Sequence, residues 1–273
     1  MPTIEENVAE FGEAWSESGD EWSGAWGDAE TQWHATLLPR VRHFLPAGRI
    51  LEIAPGHGRW SQFLIPEAEE FVGVDLNEAC IAACRRRFRE TAHARFETND
   101  GSSLAAVGDN SVDFAFSFDS LVHVEFEVLS AYLRELGRKL SPDGVAWIHH
   151  SNLGELSRTL SYRLTRMSRG KPLIAKSLEK VGAIGWDNWR APSVTAKAVE
   201  AAAREAGLIA IGQEILEWGD KRPKLIDCIS VLARPGSKWE RPNVVARNPY
   251  FMNEAKSARS ISKVFTSFRS PKR

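Results

Sequence analysis

Residues 50–64, ILEIAPGHGRWSQFL, pass from a continuous apolar run into two glycines and then into a helical period. A run that is apolar at successive positions suits a strand covered on both faces, as in a parallel sheet. Gly56 and Gly58 then form a turn whose backbone a ligand can approach without meeting a Cβ. In open α/β sheets such turns lie beyond the carboxyl ends of the strands, where ligands bind. A mere tight turn between strand and helix has the same glycines, so the neighbouring strand ends carry the decision.

The alternation is sustained. A helix over 33–45 precedes the strand at 49–54, and a helix over 58–66 follows it. EFVGVD (70–75) is a strand, and residues 77–90 are a helix capped by Asn77. Strands at 94–100 and 112–118, a helix at 125–140, a turn at SPDG (141–144) and a strand at 145–151 continue the pattern. Residues 152–192 interrupt it, and 193–207 restore a helix between Ser193 and Gly207. LIAIGQEILEW and LIDCISVLAR are two strands joined by the short link 219–224, which implies an antiparallel pair. The fold expected is α/β, a doubly wound and mostly parallel seven-stranded sheet whose last strand is antiparallel.

With 273 residues and 43% hydrophobic content the chain can bury a large core. Its formal net charge of −1 argues against a dedicated nucleic-acid binder. The charge is uneven. Residues 1–33 hold nine acidic residues, no Lys or Arg, and four of the ten tryptophans. Residues 236–273 hold nine Lys or Arg against two Glu, with no sustained apolar period, and are expected to be a weakly structured basic tail. The domain reading is therefore an acidic, Trp-rich segment (1–33) acting as a lid, a central domain (34–235) with its insertion at 152–192, and the tail. No signal peptide or membrane span is evident. Cys80 and Cys84, at i and i+4 on a helix, read as small apolar residues rather than a metal pair, and a reducing, cytoplasmic setting follows.

The closing hairpin after five alternations resembles the class I S-adenosylmethionine-dependent methyltransferases, over about residues 34–234. That resemblance implies S-adenosylmethionine as cofactor. It places Glu52 near the cofactor's amino-acid portion, Asp75 at the ribose hydroxyls and Asp100 at the adenine. Ala54, Gly56, Gly58, Leu76, Asn99, Gly101 and Phe118 complete the implied cofactor-binding set. A nicotinamide dehydrogenase shares the glycine turn and the acid after the second strand. Its fingerprint wants glycine or alanine at its last position, however, and here that position is Ser61 after the bulky Trp60.

The methyl donor is already activated, so the protein mainly aligns a nucleophile behind it. After the fourth strand the chain has Phe118-Asp119-Ser120-Leu121-Val122-His123, without the Asn-Pro-Pro-Tyr-like motif of many amide or base N-methylating families. A hydroxyl acceptor needs a base, for which a neutral imidazole is suited. The candidates are Asp119, His123, His149 and His150. His149 and His150 face opposite sides of a regular strand, so at most one addresses the acceptor, with His150 slightly preferred. His123 reads as a base, a metal ligand or a loop residue. Asp119, with His150, is the tentative ligand set for an optional Mg²⁺.

EWSGAWGDAETQWHATLLP and GAIGWDNWRAPS combine aromatics with short polar side chains, a composition suited to sugar faces and hydroxyls, or to a lid packed by tryptophan. Trp26, Trp33, Trp186, Asp187 and Trp189 are the acceptor-binding candidates. Residues 158–176 read as a basic amphipathic helix over the site or as a solvated face. WGDAETQWHATLLPRVRHFLPAGRILEIAPGHGRW and WIHHSNLGE resemble actinobacterial sugar O-methyltransferases, which implies a short mannoside acceptor in polysaccharide synthesis. The expectation is a small carbohydrate acceptor, no nucleic acid, and action alone or as a homodimer. The alternatives are another small-metabolite O-methyltransferase, or a cofactor-binding scaffold whose basic tail docks an acidic partner.

Overall fold

The computed structural model describes residues 18–157, 159–168, 189–218 and 225–266. Eight strands form one sheet: β1 (Ala47–Ile53), β2 (Ala68–Asp75), β3 (Ala94–Thr98), β4 (Val112–Ser117), β5 (Leu140–Ser151), β6 (Ile209–Leu216), β7 (Asp227–Ala233) and β8 (Val244–Asn248). Their spatial order is β3-β2-β1-β4-β5-β7-β6-β8. The pairs from β3 to β5 are parallel, and β7 runs antiparallel between β5 and β6.

The order reverses beside β1, whose neighbours are β2 and β4, so the crevice beyond their carboxyl ends is the switch point where such sheets bind ligands. Alternate residues of β1 serve the two faces of the sheet. Leu51 and Ile53 join a core with α4 (Phe126–Lys139) and α6 (Ala196–Glu205). Ile50 joins an aromatic core with Trp26, Trp33, Phe71, Phe114, Phe116 and Trp147. That second layer also holds α2 (Ser61–Leu64) and α3 (Glu78–Arg87), the latter capped by Asn77 as expected.

The first helix, α1, runs as Ala29–Gln32, a π-helical turn Trp33–Leu37, and Leu38–Val41. Pro39 has no N–H for the ladder, and the wide turn precedes it. Asp28 caps the helix by accepting from Thr31 N at 2.7 Å. A short helix α5 (Leu160–Ser168) lies where the basic amphipathic segment was expected.

Three expectations are corrected. The sheet has eight strands rather than seven, since β8 adds to β6 in parallel, while β7 is the antiparallel strand expected. Residues 141–144 do not separate helix from strand. They bulge within β5, which pairs Val112 with Leu140 and then Phe114 with Val145. The tail is built into the fold: β8 is followed by α7 (Phe251–Thr266), which buries Phe251, Met252, Ala255 and Ala258 against α1. Arg40 ties these pieces together, donating to both oxygens of Glu214 on β6 (2.7 and 2.8 Å) and to Glu254 on α7 (3.0 Å). Among the described residues no helix is long and apolar enough to cross a membrane.

Candidate active site

At the end of β1 the chain turns through two left-handed residues, Ala54 (φ 59°) and Gly56 (φ 58°). Gly56 N donates to Asp75 Oδ2 at 3.1 Å, and Asn77 N donates to Oδ1 at 2.9 Å. This carboxylate is buried at the end of β2, with Leu76 N–H as a third backbone partner. Burial raises the Asp75 pKa, and the bonds from Asn77 and Gly56 work against that. Glu52 is deeper. Its Oε2 accepts Ser61 Oγ–H at 2.5 Å, and burial pushes its pKa up to about 8 against the pull of Ser61 and Arg59.

Gly58 serves packing. A Cβ there would lie 2.5 Å from Phe88 Cε2, so the missing methyl makes room for an aromatic ring rather than for a ligand. Asn99 and Asp100 shape the loop after β3. Asn99 bridges Ser103 O and Tyr132 Oη and accepts from Gly101 N. Asp100 Oδ1 accepts from Ser102 N and Ser103 N, which holds its carboxyl below the usual carboxylate range. Gly101 takes φ 82°, and the half-buried Leu76 follows Asp75 directly. The strand ends thus present a buried acid, an exposed acid and left-handed backbone, which suits the ribose, the adenine and the close approach of a nucleoside. These residues fit S-adenosylmethionine.

Just beyond the carboxyl end of β4 and at the start of β7 lies a chain of buried charges. Arg59 Nη2 lies 3.6 Å from Asp119 Oδ2, and Arg190 Nη2 lies 3.5 Å from Asp119 Oδ1. Arg190 also grips Asp227, with Nε at 3.0 Å from Oδ1 and Nη2 at 2.8 Å from Oδ2. Asp227, at the start of β7, is fully buried. Arg190 and His149 outweigh that burial and hold its carboxyl well below the usual range. The Arg190 guanidinium lies 4.8 Å over the Trp218 ring, and Arg59 lies 4.5 Å over Trp60. Asp119 itself is left-handed (φ 62°), as is Trp189 (φ 62°). With Ala54, three of the four non-glycine residues of positive φ among the described residues lie at this crevice, each disfavoured by about 1–2 kcal/mol.

Residues 50–144 match a family model described as a methyltransferase domain. The chain therefore carries a methyltransferase domain over these residues. No curated protein matches it in sequence. In fold it is similar to a Pyrococcus horikoshii protein at 22% identity and TM-score 0.53, over 75% of this chain and 90% of that one. A Methanosarcina mazei S-adenosylmethionine-dependent methyltransferase is 19% identical with TM-score 0.53, over 72% and 98% of the two chains. One from Mesorhizobium loti is also 19% identical with TM-score 0.51, over 75% and 98%.

The histidine pair of the methyltransferase is placed against expectation. His149 Nδ1 accepts the main-chain N–H of Asp119 at 3.1 Å, so its proton is on Nε2, 3.2 Å from Asp227 Oδ2. His150 lies on the other side of β5. Its Nδ1–H donates to Ser151 O at 2.8 Å, and its Nε2 lies 2.8 Å from Ser230 Oγ. Both rings are 0% exposed, and burial pushes the His150 pKa down to about 4. Neither ring has a nitrogen left to receive a proton from an acceptor. The tentative Mg²⁺ pair does not fit either: the Asp119 carboxylate sits between two guanidinium groups, and His150 is committed elsewhere. Among the described residues no group of three or more His, Cys, Asp or Glu is placed to hold a metal.

His123 is the histidine at the rim. It ends a 3-10 turn (Leu121–His123), is half-buried, and has Nδ1 3.0 Å from the Trp189 carbonyl. A carbonyl only accepts, so Nδ1 carries the proton and Nε2 is the accepting nitrogen. Burial and the Arg190 charge lower its pKa. Of the acceptor-binding candidates, Trp189 is at this rim, 55% exposed. Trp26 (1%) and Trp33 (3%) are instead core residues. Trp33 stacks on Phe63 at 5.2 Å, and the Trp26 indole N–H donates to Thr36 Oγ1 at 2.9 Å. Trp186 and Asp187 lie outside the described residues. Phe118 is buried and stacks on His149 at 4.7 Å.

Sequence reasoning missed Arg59, Arg190, Asp227 and Trp218. Asp227 carried a usable signal, since a carboxylate inside the apolar run LIDCISVLA must be paired when buried. The partners of such a group, far away in sequence, have no periodicity to reveal them.

Proposed function

We propose that this methyltransferase methylates a hydroxyl of a small carbohydrate acceptor, with His123 as the base. The observation that carries this reading is the His123–Trp189 contact, which makes Nε2 the proton-accepting nitrogen beside an exposed indole face. The cofactor, when bound, supplies a methyl group on a sulfonium, a leaving group that needs no acid. With the cofactor bound, methyl transfer to the acceptor oxygen would leave the carbon–sulfur electron pair on sulfur, and His123 Nε2 would take the hydroxyl proton. Because its pKa is lowered, the ring is neutral and ready at pH 7.

Support for a sugar comes from two sources. Trp189 offers a flat apolar face next to the base, as CH faces of a pyranose require. The two segments around β1 and β5 resemble sugar O-methyltransferases, including those of methylmannose polysaccharide synthesis. The burial of Trp26 and Trp33 removes half of the aromatic argument, so the weight falls on Trp189.

The test is transfer of a tritiated methyl group over a panel of monosaccharides, methyl mannosides and short mannosides, with EDTA in every lane and Mg²⁺ in a duplicate. Labelled glycoside formed equally with EDTA, and lost in His123→Gln, is the expected result. Label confined to phenols or carboxylates would replace the sugar by another small metabolite, and full turnover by His123→Gln would remove the base.

A further inference from the structure

The three residues 189–191 are fastened to the sheet at several points. Ala191 N donates to Val122 O at 3.1 Å, and Ser151 Oγ donates to Ala191 O at 2.8 Å. Between these anchors and the left-handed Trp189 stands Arg190, whose guanidinium takes Asp227 by Nε and Nη2 together. A fork gripping a carboxylate at two atoms fixes direction as well as distance. The adjacent peptide is thereby held, and it is the peptide whose carbonyl receives the Nδ1–H of His123. Arg190 Nη2 also reaches the Asp119 carboxylate at 3.5 Å, while Asp227 holds His149, which in turn accepts the Asp119 N–H. Two routes therefore run from Asp227 to the rim of the site.

We propose that Arg190 and Asp227 are positioning residues, whose buried ion pair fixes the Trp189 carbonyl and through it the tautomer and orientation of His123. This rests on the reading of His123 as the base, but concerns the ring whether or not substrate is present. The charged groups around His123 among the described residues are Arg190, Asp119 and Asp227. Removing the Arg190–Asp227 pair as a unit leaves no single charge buried without its partner, whereas removing one member does.

The experiment uses the full chain with ¹⁵N- and ¹³C-labelled histidine, the His123 signals being assigned by their loss in His123→Gln. In the parent protein the neutral ring is expected to be protonated at Nδ1. In the double variant R190M/D227N, checked as folded by its near-ultraviolet dichroism, two changes are expected. The tautomer shifts toward Nε2–H, and the His123 midpoint rises, because Arg190 lowers it by more than Asp227 raises it. If the double variant does not fold, Arg190→Lys replaces it. The charge then remains and the fork is lost, so the tautomer preference weakens while the midpoint stays low. An unchanged His123 tautomer in whichever variant folds would overturn the proposal. Full methyl transfer by His123→Gln alongside a changed tautomer would overturn only the role of the base, so the two failures are distinguishable.

Discussion

The main-chain N–H of Asp119 donates to Nδ1 of His149 at 3.1 Å, and that one contact decides where the proton of a fully buried ring resides. His149 is thereby a strut between the β4 loop and Asp227. Substituting His149→Leu leaves a buried N–H and a carboxylate oxygen short of partners, and stability should fall by about 1–3 kcal/mol for each group. Urea unfolding measures the loss. A variant as stable as the parent would deny the strut.

Glu52 and His150 impose opposite pH slopes on stability. Burial raises Glu52 in the folded state to about 8, so between 4.5 and 8 the unfolded chain has released a proton that the folded one keeps, and stability falls as pH rises. His150 is depressed to about 4, so between 6.5 and 4 the unfolded chain binds the extra proton, and stability falls as pH drops. From 4.5 to 6.5 the two slopes oppose each other. From 6.5 to 8 Glu52 acts alone, for a loss of roughly 2 kcal/mol. Denaturation of Glu52→Gln across that upper window should lack the decline, and a decline equal to that of the parent would contradict the assignment.

Phe251 anchors the tail. It is fully buried, stacks on Trp218 at 5.8 Å and meets Trp26 edge-on at 6.0 Å. Phe251→Ala should lower stability by about 3–5 kcal/mol, and thermal melting will show it. Truncation before Gly236 should be worse, since it also removes β8 and α7. An undisturbed melt would restore the idea of a dispensable extension.

Gly58→Ala should destabilise by about 1–3 kcal/mol, because a methyl at φ 81° would lie 2.5 Å from Phe88. Adding Phe88→Leu should recover the packing share of that loss and leave the backbone share. Melting temperatures of the single and double variants separate the two contributions, and no recovery in the double variant would mean that the ring is not the obstacle.

The frame of this methyltransferase was legible where local rules decide. Apolar runs, Asn77, the glycine turn and Asp75 at the end of β2 all stand where periodicity and turn chemistry put them. The site's electrostatics were not. The partners of Asp227 are 37 and 78 residues away in sequence, and no local pattern links them. Trp26 and Trp33 were misread because a tryptophan beside polar residues looks the same whether it faces a ligand or a core. VVARN was passed over because a five-residue edge strand acquires meaning only beside β6.

Arg40 and Glu254 meet although 214 residues separate them, and Trp26 reaches Phe251 by the same closure. During synthesis from the amino end, the segment that carries Trp26 and Trp33 emerges early and must wait for almost the whole chain before its anchor exists. Until then its indoles are exposed to whatever else in the cell will cover them, and closing so wide a loop is intrinsically slow. The closing of this aromatic layer over the sheet therefore depends on residues that are among the last to be made.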